Sequence, residues 1–421
     1  MPSVNQSTLS FSGDAFAVFH AFKDQPHAFF LDSSLQRSQY QFSYIGFDPF
    51  KIVNGGDLTG LKKAFDKHRL RSKLSFPAGA VGYLGYDGSL FFGFYDTIIA
   101  VDHQNDQLII SSLSKGRIKD IVKKINQIQI LKCNYSKFLS KLKFQSNFTK
   151  AAYMKAVRQA LEHIRRGDIY QINLSHQIKL AIPRWQDYAE PSAIYKNLRQ
   201  AFPSEFGAYF DDGRQVILSA SPERFLKLQD RQVQVKPMKG TMPRGTTKIQ
   251  DKKFKEQLLK SHKEIAELLM VTDLERNDLG RVCDYASVKV TDMRSIESYS
   301  SVFQATSTVE GHLRKDRDQF DLLQAAFPSG SVTGCPKIEA MKIIKQLERG
   351  SRGLYTGALG YMSFSGDMDF NVMIRTMFLK KDQITFHVGG GIVADSRPQD
   401  EWQETWDKAK PLIATLKRTF Q

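Results

Sequence analysis

A lysine and a glutamate in this sequence lie in short segments that restrain their side chains. Glu223 belongs to the segment SPERF and Lys239 to the segment PMKGT. The proline and glycine residues in these segments favour stiff, turn-rich backbone. A neutral lysine is a nucleophile, and a neighbouring carboxyl group can exchange a proton with the reacting atoms. The two segments together predict a nucleophile with a proton partner, whereas Lys239 taken alone favours a lysine in a solvated loop.

Two pairs of glutamates recur with helical spacing. Glu264 and Glu267 lie three residues apart in EIAELLM, and Glu401 and Glu404 do so in EWQETWDK. Residues three apart project from the same side of a helix. The pairs are either exposed helix charges or four carboxylates that converge on one site. Because Mg²⁺ prefers carboxylate oxygens as ligands, convergence would predict a magnesium site.

Three consecutive glycines, Gly389, Gly390 and Gly391, follow the strand-like segment QITFHV. Glycine has no side chain, so a ligand can come close to the backbone there. The spacing does not match the phosphate-binding fingerprint of dinucleotide sites. The segment GSVTGCPK likewise lacks the Gly-Lys-Ser/Thr ending of a P-loop. Neither segment predicts a nucleotide site.

The composition is that of a folded protein with a large core. The chain has 421 residues, of which 41% are hydrophobic and 11% are aromatic, and such a chain can bury one large core or two ordinary ones. Its three cysteines are far apart with no CxxC pair, which excludes a disulfide scaffold and a cysteine zinc site. No cysteine lies in a Gly-x-Cys-x-Gly elbow, so no cysteine nucleophile is expected.

Charge and hydropathy limit the partners of this protein. The net charge of +16 is spread along the chain and is densest between Lys115 and Lys143. In that run Ile118, Ile121 and Ile125 recur at helical intervals, which predicts a basic amphipathic helix and not a nucleic-acid interface. A positive field would attract an anionic small molecule. No apolar stretch is long enough to span a bilayer and no signal peptide begins the sequence, so we expect a cytoplasmic protein that does not bind membranes.

Hydrophobic periodicity predicts the elements around the candidate residues. Thr149 is predicted to cap a helix that ends at Gly167. Between residues 170 and 182, apolar and polar residues alternate, which predicts a strand with one buried face. The polar face of this strand either lines a site or is exposed to solvent. Shorter strands are predicted over residues 28–34, 42–49 and 78–87.

Several segments in order resemble the chorismate-utilising enzymes over essentially the whole chain, and most closely component I of the aminodeoxychorismate synthases. The resemblance is carried by GDIYQINLS, SPERF, PMKGT, ELLMVTDLERNDLGRV, GSVTGCPK, GY with IRT, and GGGIVADS followed by ETWDKA. It implies an α+β fold in which two large packed antiparallel β-sheets carry helices on their outer sides. An N-terminal region, 1–145, and a chorismate-binding catalytic region, 146–421, would form one compact unit.

Two positions distinguish the branches of this family. Relatives that form isochorismate or salicylate carry a lysine where this chain has Gln171, which cannot act as the base that activates water. Anthranilate synthases carry alanine where this chain has Lys239. The resemblance therefore implies synthesis of 4-amino-4-deoxychorismate from chorismate and ammonia, for p-aminobenzoate and folate biosynthesis. Component I of anthranilate synthase is the alternative.

The resemblance also implies roles for the candidate residues. Lys239 would attack C2 of chorismate as the hydroxyl group leaves C4, and Glu223 would protonate that hydroxyl. Ammonia would then add at C4 and expel the lysine. The remaining substrate contacts that the resemblance implies are Gly240, Thr241, Thr333, Tyr361, Arg375, Gly389, Gly390, Gly391 and Lys408.

The magnesium ion of this family would be bound by Glu267 and Glu404, with Glu264 and Glu401 as outer or water-mediated partners. All four carboxylates are present, which argues against a catalytically silent homologue. The chain departs from the family at Gln304, where relatives usually carry a histidine. A glutamine can form a hydrogen bond there but cannot shuttle a proton.

The same resemblance implies that ammonia comes from another protein. Without a cysteine elbow the chain has no thioester-forming nucleophile, and its sequence ends at Gln421, soon after the Glu404 segment. A separate glutamine amidotransferase subunit is therefore the expected partner. The tryptophan-binding motif of regulated relatives is degraded to FPSEF at residues 202–206, so the sequence does not predict tryptophan binding near residues 32–34.

Overall fold

The structure, a computed structural model, describes residues 3–35, 41–128, 141–299 and 302–421. Its strands are β1 Asn5–Ser10, β2 Phe29–Asp32, β3 Phe42–Gly46, β4 Lys51–Asn54, β5 Gly79–Leu84, β6 Leu90–Tyr95, β7 Thr97–Asp102, β8 Gln107–Ser112, β9 Phe144–Ser146, β10 Gln171–Ala181, β11 Phe206–Asp211, β12 Val216–Ser221, β13 Arg224–Gln229, β14 Gln232–Val235, β15 Met238–Pro243, β16 Lys289–Ser298, β17 Val302–His312, β18 Gly334–Cys335, β19 Ala358–Ser363, β20 Met368–Val372, β21 Thr376–Lys380 and β22 Gln383–Ile392. Its helices are α1 Ala15–His20, α2 Leu58–Phe65, α3 Lys115–Ile125, α4 Lys150–Arg165, α5 Pro191–Ala201, α6 Lys248–Lys260, α7 His262–Gly280, α8 Gln319–Ala326, α9 Lys337–Leu347 and α10 Pro398–Phe420.

The strands form two large sheets in which neighbouring strands are antiparallel. The first sheet has 12 strands in the order β1-β8-β7-β3-β2-β11-β12-β21-β22-β10-β18, with β9 also paired to β10. The second has 10 strands in the order β15-β17-β14-β13-β20-β19-β5-β6-β4, with β16 also paired to β17. The two-sheet α+β fold that the resemblance implied is confirmed.

A shared apolar core joins the two sheets. Phe29 and Phe210 of the first sheet pack in one buried cluster with Val81 and Leu359 of the second. Burying an apolar side chain of this size contributes about 1.5–3 kcal/mol. On the other faces, α5 and α10 pack on the first sheet, and α2 and α8 pack on the second. The helices therefore lie outside a sandwich of sheets.

The region before residue 145 does not fold apart from the rest of the chain. Its strands β1, β2, β3, β7 and β8 belong to the first sheet, and β4, β5 and β6 belong to the second. Strand β2 pairs with β11, and β5 pairs with β19, so each sheet mixes strands from both regions. The division at residue 145 is therefore a division of the sequence within one sandwich.

The elements predicted from periodicity are present. The Thr149 hydroxyl accepts a hydrogen bond from the Ala152 amide at 3.2 Å at the start of α4, and Gly167 follows the helix with a φ of 81°. The strand predicted over 170–182 is β10, whose polar residues Gln171 and Ser175 are buried. The polar face of β10 is thus enclosed where the strand begins.

The basic run between Lys115 and Lys143 begins with an amphipathic helix, as predicted. In α3 the side chains of Ile118, Ile121 and Ile125 are buried. Residues 129–140, which include Cys133, lie outside the described residues. Among the described helices, none combines the length and the apolar content that a bilayer span requires.

Candidate active site

Lys239 lies on a β-strand and not in a solvated loop. Strand β15 pairs with β17, and the register shifts between Lys239 and Thr241. Gly240 sits at this bulge with a φ of +77°, a conformation that favours glycine. A Cβ atom at Gly240 would lie 2.7 Å from a carboxylate oxygen of Glu264. The bulge therefore positions the Lys239 side chain and leaves room beside it for Glu264.

The amine of Lys239 reaches from the second sheet to the first. Its Nζ atom lies 3.3 Å from the position that a Cβ atom would take at Gly391 of β22. The side chain as a whole is half-buried, and the amine is its enclosed end. Burial lowers the pKa of Lys239, and the charge of Lys408 lowers it further, while Glu267 and Glu223 oppose the shift. The net lowering favours the neutral, nucleophilic form of the amine.

Glu223 lies where the chain crosses from β12 of the first sheet to β13 of the second. Its side chain is only 4% exposed. Burial raises the pKa of Glu223 to about 7, although hydrogen bonds from Ser331 and from the Met238 backbone act in the other direction. The positive charge of Lys239 also lowers the pKa of Glu223. Glu223 therefore holds a proton near neutral pH, next to the lysine.

The glycine run leaves space on both faces of β22. Gly389, Gly390 and Gly391 pair with Ser175, Leu174 and Asn173 of β10. A Cβ atom at Gly391 would lie 2.6 Å from Gln171 Nε2, and one at Gly390 would lie 3.3 Å from Glu401 and 3.6 Å from Glu404. At Gly389 the Cβ atom would lie 2.7 Å from the carbonyl oxygen of Leu174. The backbone contact requires glycine at position 389, and the run places Lys239 and α10 beside the same strand.

Gly391→Ala is expected to lower turnover by about tenfold or more, because the new methyl group displaces the ends of Gln171 and Lys239. Those two atoms terminate flexible side chains, so the fold should accept the change at a cost of about 1–3 kcal/mol. Steady-state kinetics and thermal unfolding measure the two effects. The control is Gly116→Ala, where a Cβ atom meets nothing within 4 Å. Full activity in the Gly391 variant would show that the reaction does not require the Lys239 amine at its position beside β22.

The predicted metal carboxylates come from two helices. Glu264 and Glu267 lie on α7, and the negative charge of each raises the pKa of Lys239. Glu401 on α10 is 5% exposed and accepts a hydrogen bond from the Ser396 hydroxyl at 2.6 Å. Glu404 pairs with Lys408 at 2.7 Å.

No three histidine, cysteine, aspartate or glutamate side chains in the described part of the chain form a metal cage. Mg²⁺ needs only one or two protein carboxylates, since waters and substrate oxygens complete its shell. The hard oxygen donors of α7 and α10 suit this ion. Glu267 of α7 and Glu404 of α10 offer oxygen donors of this kind.

Lys408, Thr333 and Thr241 each form a hydrogen bond with a strand of one of the two sheets. Lys408 Nζ donates a hydrogen bond to the Gly389 carbonyl at 2.9 Å. Thr333 is fully buried, and its carbonyl accepts from the Asn173 amide at 2.7 Å. Thr241 accepts from Gln304 Nε2 at 3.4 Å. The Thr333 hydroxyl, which was predicted to contact the substrate, donates to the Ser329 carbonyl oxygen at 3.0 Å.

Arg375 lies on the Glu223 side of the site. Its φ is 49°, and its guanidinium carbon lies 5.7 Å from the ring centre of Phe202. Burial lowers the pKa of Arg375, while the charge of Glu223 opposes that shift. Arg375 is therefore a half-buried cation that can bind a carboxylate.

Tyr361 is not brought to this centre. Its ring stacks on Phe76 with centroids 4.2 Å apart, and it lines a separate cavity of about 210 Å³ with Tyr44, Asp32 and Arg224. The cavity lies between the sheets, and neither Lys239 nor Glu223 lines it. Tyr361 thus lies away from the other residues that were predicted to contact the substrate.

A family comparison agrees with the motifs. Residues 27–414 match the family described as chorismate binding enzyme. The chain belongs to this family. Anthranilate synthase component 1 of Thermus thermophilus is 42% identical over 274 residues, which cover 65% of this chain and 58% of that protein. Aminodeoxychorismate synthase component 1 of Escherichia coli is 35% identical, covering 85% and 82%.

A solved structure of the chorismate-binding enzymes is also similar. Anthranilate synthase component I from Streptococcus pneumoniae superposes with a TM-score of 0.79 at 30% identity, covering 90% of this chain and 93% of that one. Because relatives with two different names match, membership of the family does not identify the reaction. The reaction must be inferred from the site. The matched part spans less than two thirds of the Thermus protein.

Sequence reasoning missed a group of residues behind Glu223 in this chorismate-binding enzyme. Ser331, Ser329 and Glu275 are buried there. The segment GSVTGCPK was considered only as a phosphate loop, and Glu275 only as part of a family motif. An acidic residue on the buried side of α7 was the one local signal.

Proposed function

We propose that this protein aminates chorismate at C4 to give 4-amino-4-deoxychorismate, with Lys239 as a covalent nucleophile. The observation that carries the proposal is the enclosed amine of Lys239. Its Nζ atom lies 3.3 Å from the Cβ position of Gly391 on the glycine strand, and the charges of Lys239 and Glu223 each affect the pKa of the other. An amine must lose its proton before it can attack. Burial favours that loss.

The two residues have complementary tasks in the proposed reaction. Lys239 Nζ forms a bond to C2, the ring double bond shifts, and the bond from C4 to the hydroxyl oxygen breaks. Glu223 gives its proton to the departing oxygen, which leaves as water. Ammonia then forms a bond to C4, the double bond shifts back, and Lys239 leaves C2 as the neutral amine, while the added nitrogen gives its extra proton to the Glu223 carboxylate. A carboxyl group with a pKa of about 7 can still supply a proton at neutral pH.

Chorismate has two carboxylates, and the site offers cations for them. Lys408 has three N–H donors, of which the Gly389 carbonyl and Glu404 take two. Arg375 is a half-buried guanidinium whose pKa responds to the charge of Glu223. We assign one substrate carboxylate to each end of the site, with the backbone of Gly389, Gly390 and Gly391 exposed to the ring by the absence of side chains.

Mg²⁺ is proposed to bind through Glu267 and Glu404, with Glu264 and Glu401 as outer partners. When bound, the ion neutralises a substrate carboxylate and fixes its orientation. Glu401 is suited to an outer position because Ser396 already occupies its Oε1 atom.

Substitution of Glu267 or Glu404 by glutamine is expected to raise the Mg²⁺ concentration for half-maximal activity by about tenfold or more, since each removes an anionic ligand. Titration of activity with MgCl₂ after treatment with a chelator measures this. Glu339→Gln is the control, because Glu339 lies on α9 and pairs with Lys342 at 2.9 Å. An unchanged magnesium requirement in both site variants would remove these residues from the metal site.

A glutamine amidotransferase subunit is proposed as the source of ammonia. The relatives from Thermus and Escherichia coli are each named component 1 of their synthase. Among the described cysteines, Cys283 is buried and burial raises its pKa to about 11, which is unsuited to a thiolate nucleophile. The chain is therefore proposed to use ammonium salts alone and glutamine when the partner is added.

Anthranilate synthesis is the second candidate, favoured by the 42% identity to the Thermus anthranilate synthase component 1. The two reactions differ in the ring position that receives nitrogen. Incubation with chorismate, Mg²⁺ and an ammonium salt separates them. We expect a product that aminodeoxychorismate lyase converts to p-aminobenzoate. Fluorescent anthranilate that forms without the lyase would favour the second candidate.

A further inference from the structure

The outer edge of strand β10 has a gap between two short partner strands. Strand β18 pairs with Gln171 and Ile172, and β9 pairs with residues 178–180. Among the described strands, none pairs with residues 173–177 on that side, while β22 pairs with them on the other side. Buried backbone N–H and C=O groups need hydrogen-bond partners. At this gap the partners must come from elsewhere than a strand.

An arginine and a glutamate supply partners at the gap. Arg352 Nη2 donates to the Asn173 carbonyl at 2.7 Å. Glu348 Oε1 accepts from the Ser175 amide at 2.8 Å and from the Ser175 hydroxyl at 2.9 Å. The two side chains also bind each other, because Arg352 Nε donates to Glu348 Oε2 at 2.9 Å and Nη2 donates to Oε1 at 2.7 Å. The pair therefore takes the place of a strand between β18 and β9.

The guanidinium of Arg352 also binds two further segments. Its Nη1 atom donates to the Val332 carbonyl at 2.8 Å and to the Thr356 hydroxyl at 3.2 Å. With the bonds to Asn173 and Glu348 this makes five hydrogen bonds, as many as the N–H donors of a guanidinium. Because these donors are fixed in one plane, Arg352 sets the relative positions of β10, of the turn that ends at Val332 and of the segment before β19.

Strand β10 connects this arrangement to the candidate site. Asn173 pairs with Gly391 and Ser175 pairs with Gly389, so the gap lies opposite the glycine run. The Lys239 amine lies 3.3 Å from the Cβ position of Gly391. Because backbone hydrogen bonds join β22 to β10, a shift of β10 at the gap also moves β22 relative to Lys239. The geometry of the gap therefore affects the surroundings of the proposed nucleophile.

Stability alone does not account for these residues. The side chains of Arg352 and Glu348 are 1% and 7% exposed, and a buried ion pair often stabilises a fold no more than well-packed apolar residues do. Thr356 has a φ of 62°, which a β-branched residue rarely adopts and which costs free energy. A buried ion pair beside a strained residue indicates a requirement for a particular geometry.

We propose that Arg352 positions β10, and through it the glycine run of β22, for the attack by Lys239. The inference rests on the proposed function, in which the Lys239 amine forms a bond to chorismate. Arg352 is a positioning residue, because its five hydrogen bonds all go to protein atoms. Glu348 shares this role, since it orients the guanidinium and binds the Ser175 amide.

The test is the rate of the first chemical step in Arg352→Lys. Lysine keeps the positive charge beside Glu348, but an ammonium group lacks the planar fork that binds three segments at once. Formation of the covalent adduct on Lys239 is followed with chorismate and Mg²⁺ but without ammonia, well below the unfolding midpoint of the variant. We expect the rate at saturating chorismate to fall about 10²-fold and the half-saturating chorismate concentration to change less than about threefold. A residue that only stabilises the fold would lower the unfolding midpoint and leave the rate of the folded enzyme unchanged, so an unchanged rate would overturn the proposal.

Arg199→Lys is the matched control, because Arg199 binds a buried carboxylate in the same bidentate manner. Its Nε and Nη2 atoms donate to Asp32 at 2.7 and 3.2 Å, and Asp32 lines the cavity that Lys239 does not line. Arg199→Lys should lose stability and keep the wild-type rate in the folded enzyme. A loss of rate as large as that of Arg352→Lys would contradict the proposal, since it would reflect a general effect of weakening a buried ion pair.

Thr356→Val decides the question if Arg352→Lys does not fold. Valine keeps the shape of threonine and removes one acceptor of the Arg352 guanidinium. The rate of adduct formation at saturating chorismate should fall about threefold to tenfold, because the guanidinium is held less firmly. A wild-type rate in folded Thr356→Val would count against the positioning role.

Hydrogen exchange of backbone amides tests the positioning without any substrate. In Arg352→Lys the amides of Ser175 and Gly390 should exchange about tenfold faster or more, because β10 loses a partner at the gap and β22 is paired with β10. The Ile110 amide of β8, towards the other end of the same sheet, should exchange as in wild type. Unchanged exchange at Gly390 would show that β22 does not follow β10. If wild type forms no adduct with chorismate yet both amides exchange faster, the proposed function fails and the positioning of β22 stands.

Discussion

Lys239→Ala is expected to reduce formation of 4-amino-4-deoxychorismate by about 10³-fold or more, because removal of a covalent nucleophile leaves only binding and orientation. The half-saturating chorismate concentration should change little, since the lysine acts on the reacting carbon and not on the carboxylates. High ammonium concentrations should restore part of the turnover by direct addition to the ring. Product analysis by chromatography measures both effects.

The control for this substitution lies three residues earlier in the chain. Lys236 lies between β14 and β15 and pairs with Glu297 at 2.6 Å, so Lys236→Ala removes an equal charge without touching the proposed chemistry. The folded Lys236→Ala enzyme should keep activity within about threefold, while loss of this mostly buried ion pair lowers its stability. A Lys239→Ala enzyme that keeps full glutamine-dependent activity with its partner would remove the nucleophile from the mechanism.

Glu223→Gln is expected to lower turnover by about 10²–10⁴-fold, the range typical of a lost general acid. The amide has nearly the same shape and cannot give a proton to the leaving hydroxyl. In wild type, adduct formation should therefore decline above about pH 7, where Glu223 loses its proton.

The same substitution should stabilise the protein at alkaline pH. The pKa of Glu223 is raised from 4.5 to about 7 in the fold. Below the lower value both folded and unfolded states hold the proton. As pH rises through this window the unfolded state releases it first, so stability falls with pH. Glu223→Gln should be more stable than wild type at pH 8 by up to about 3 kcal/mol and nearly equal at pH 4.5.

Chemical denaturation at both pH values measures this stability difference. Glu339→Gln, an exposed change on α9, should show no such dependence on pH. If the stability of Glu223→Gln relative to wild type does not change between the two pH values, the buried proton on Glu223 is excluded.

Local sequence was sufficient for the elements that depend on local periodicity or capping. Thr149 and Gly167 marked the ends of α4, and alternation marked β10, because both signals act over a few residues. Long motifs in order were sufficient for the two-sheet fold. The segment PMKGT was predicted as a turn-rich loop, and it is a bulged strand. Its hydrogen bonds come from β17, more than sixty positions away, and no local signal reports them.

The site could be predicted in part for the same physical reason. Residue type and flanking sequence were enough to single out Lys239, Glu223 and the glycine run. Tyr361 was misplaced because a strand residue faces either side of its sheet, and only pairing of β19 with β5 and β20 sets that side. The hydrogen bond from Ser329 to Glu275 depends on how α7 meets a turn more than fifty residues later.

The central claim is that the Lys239 amine becomes bonded to substrate. Protein incubated with chorismate and Mg²⁺ in the absence of ammonia should gain the mass of chorismate less one water, and peptide mapping should place that mass on Lys239. Addition of ammonium should discharge it as 4-amino-4-deoxychorismate. An unmodified Lys239 in enzyme that still forms the aminated product at its normal rate would contradict the account.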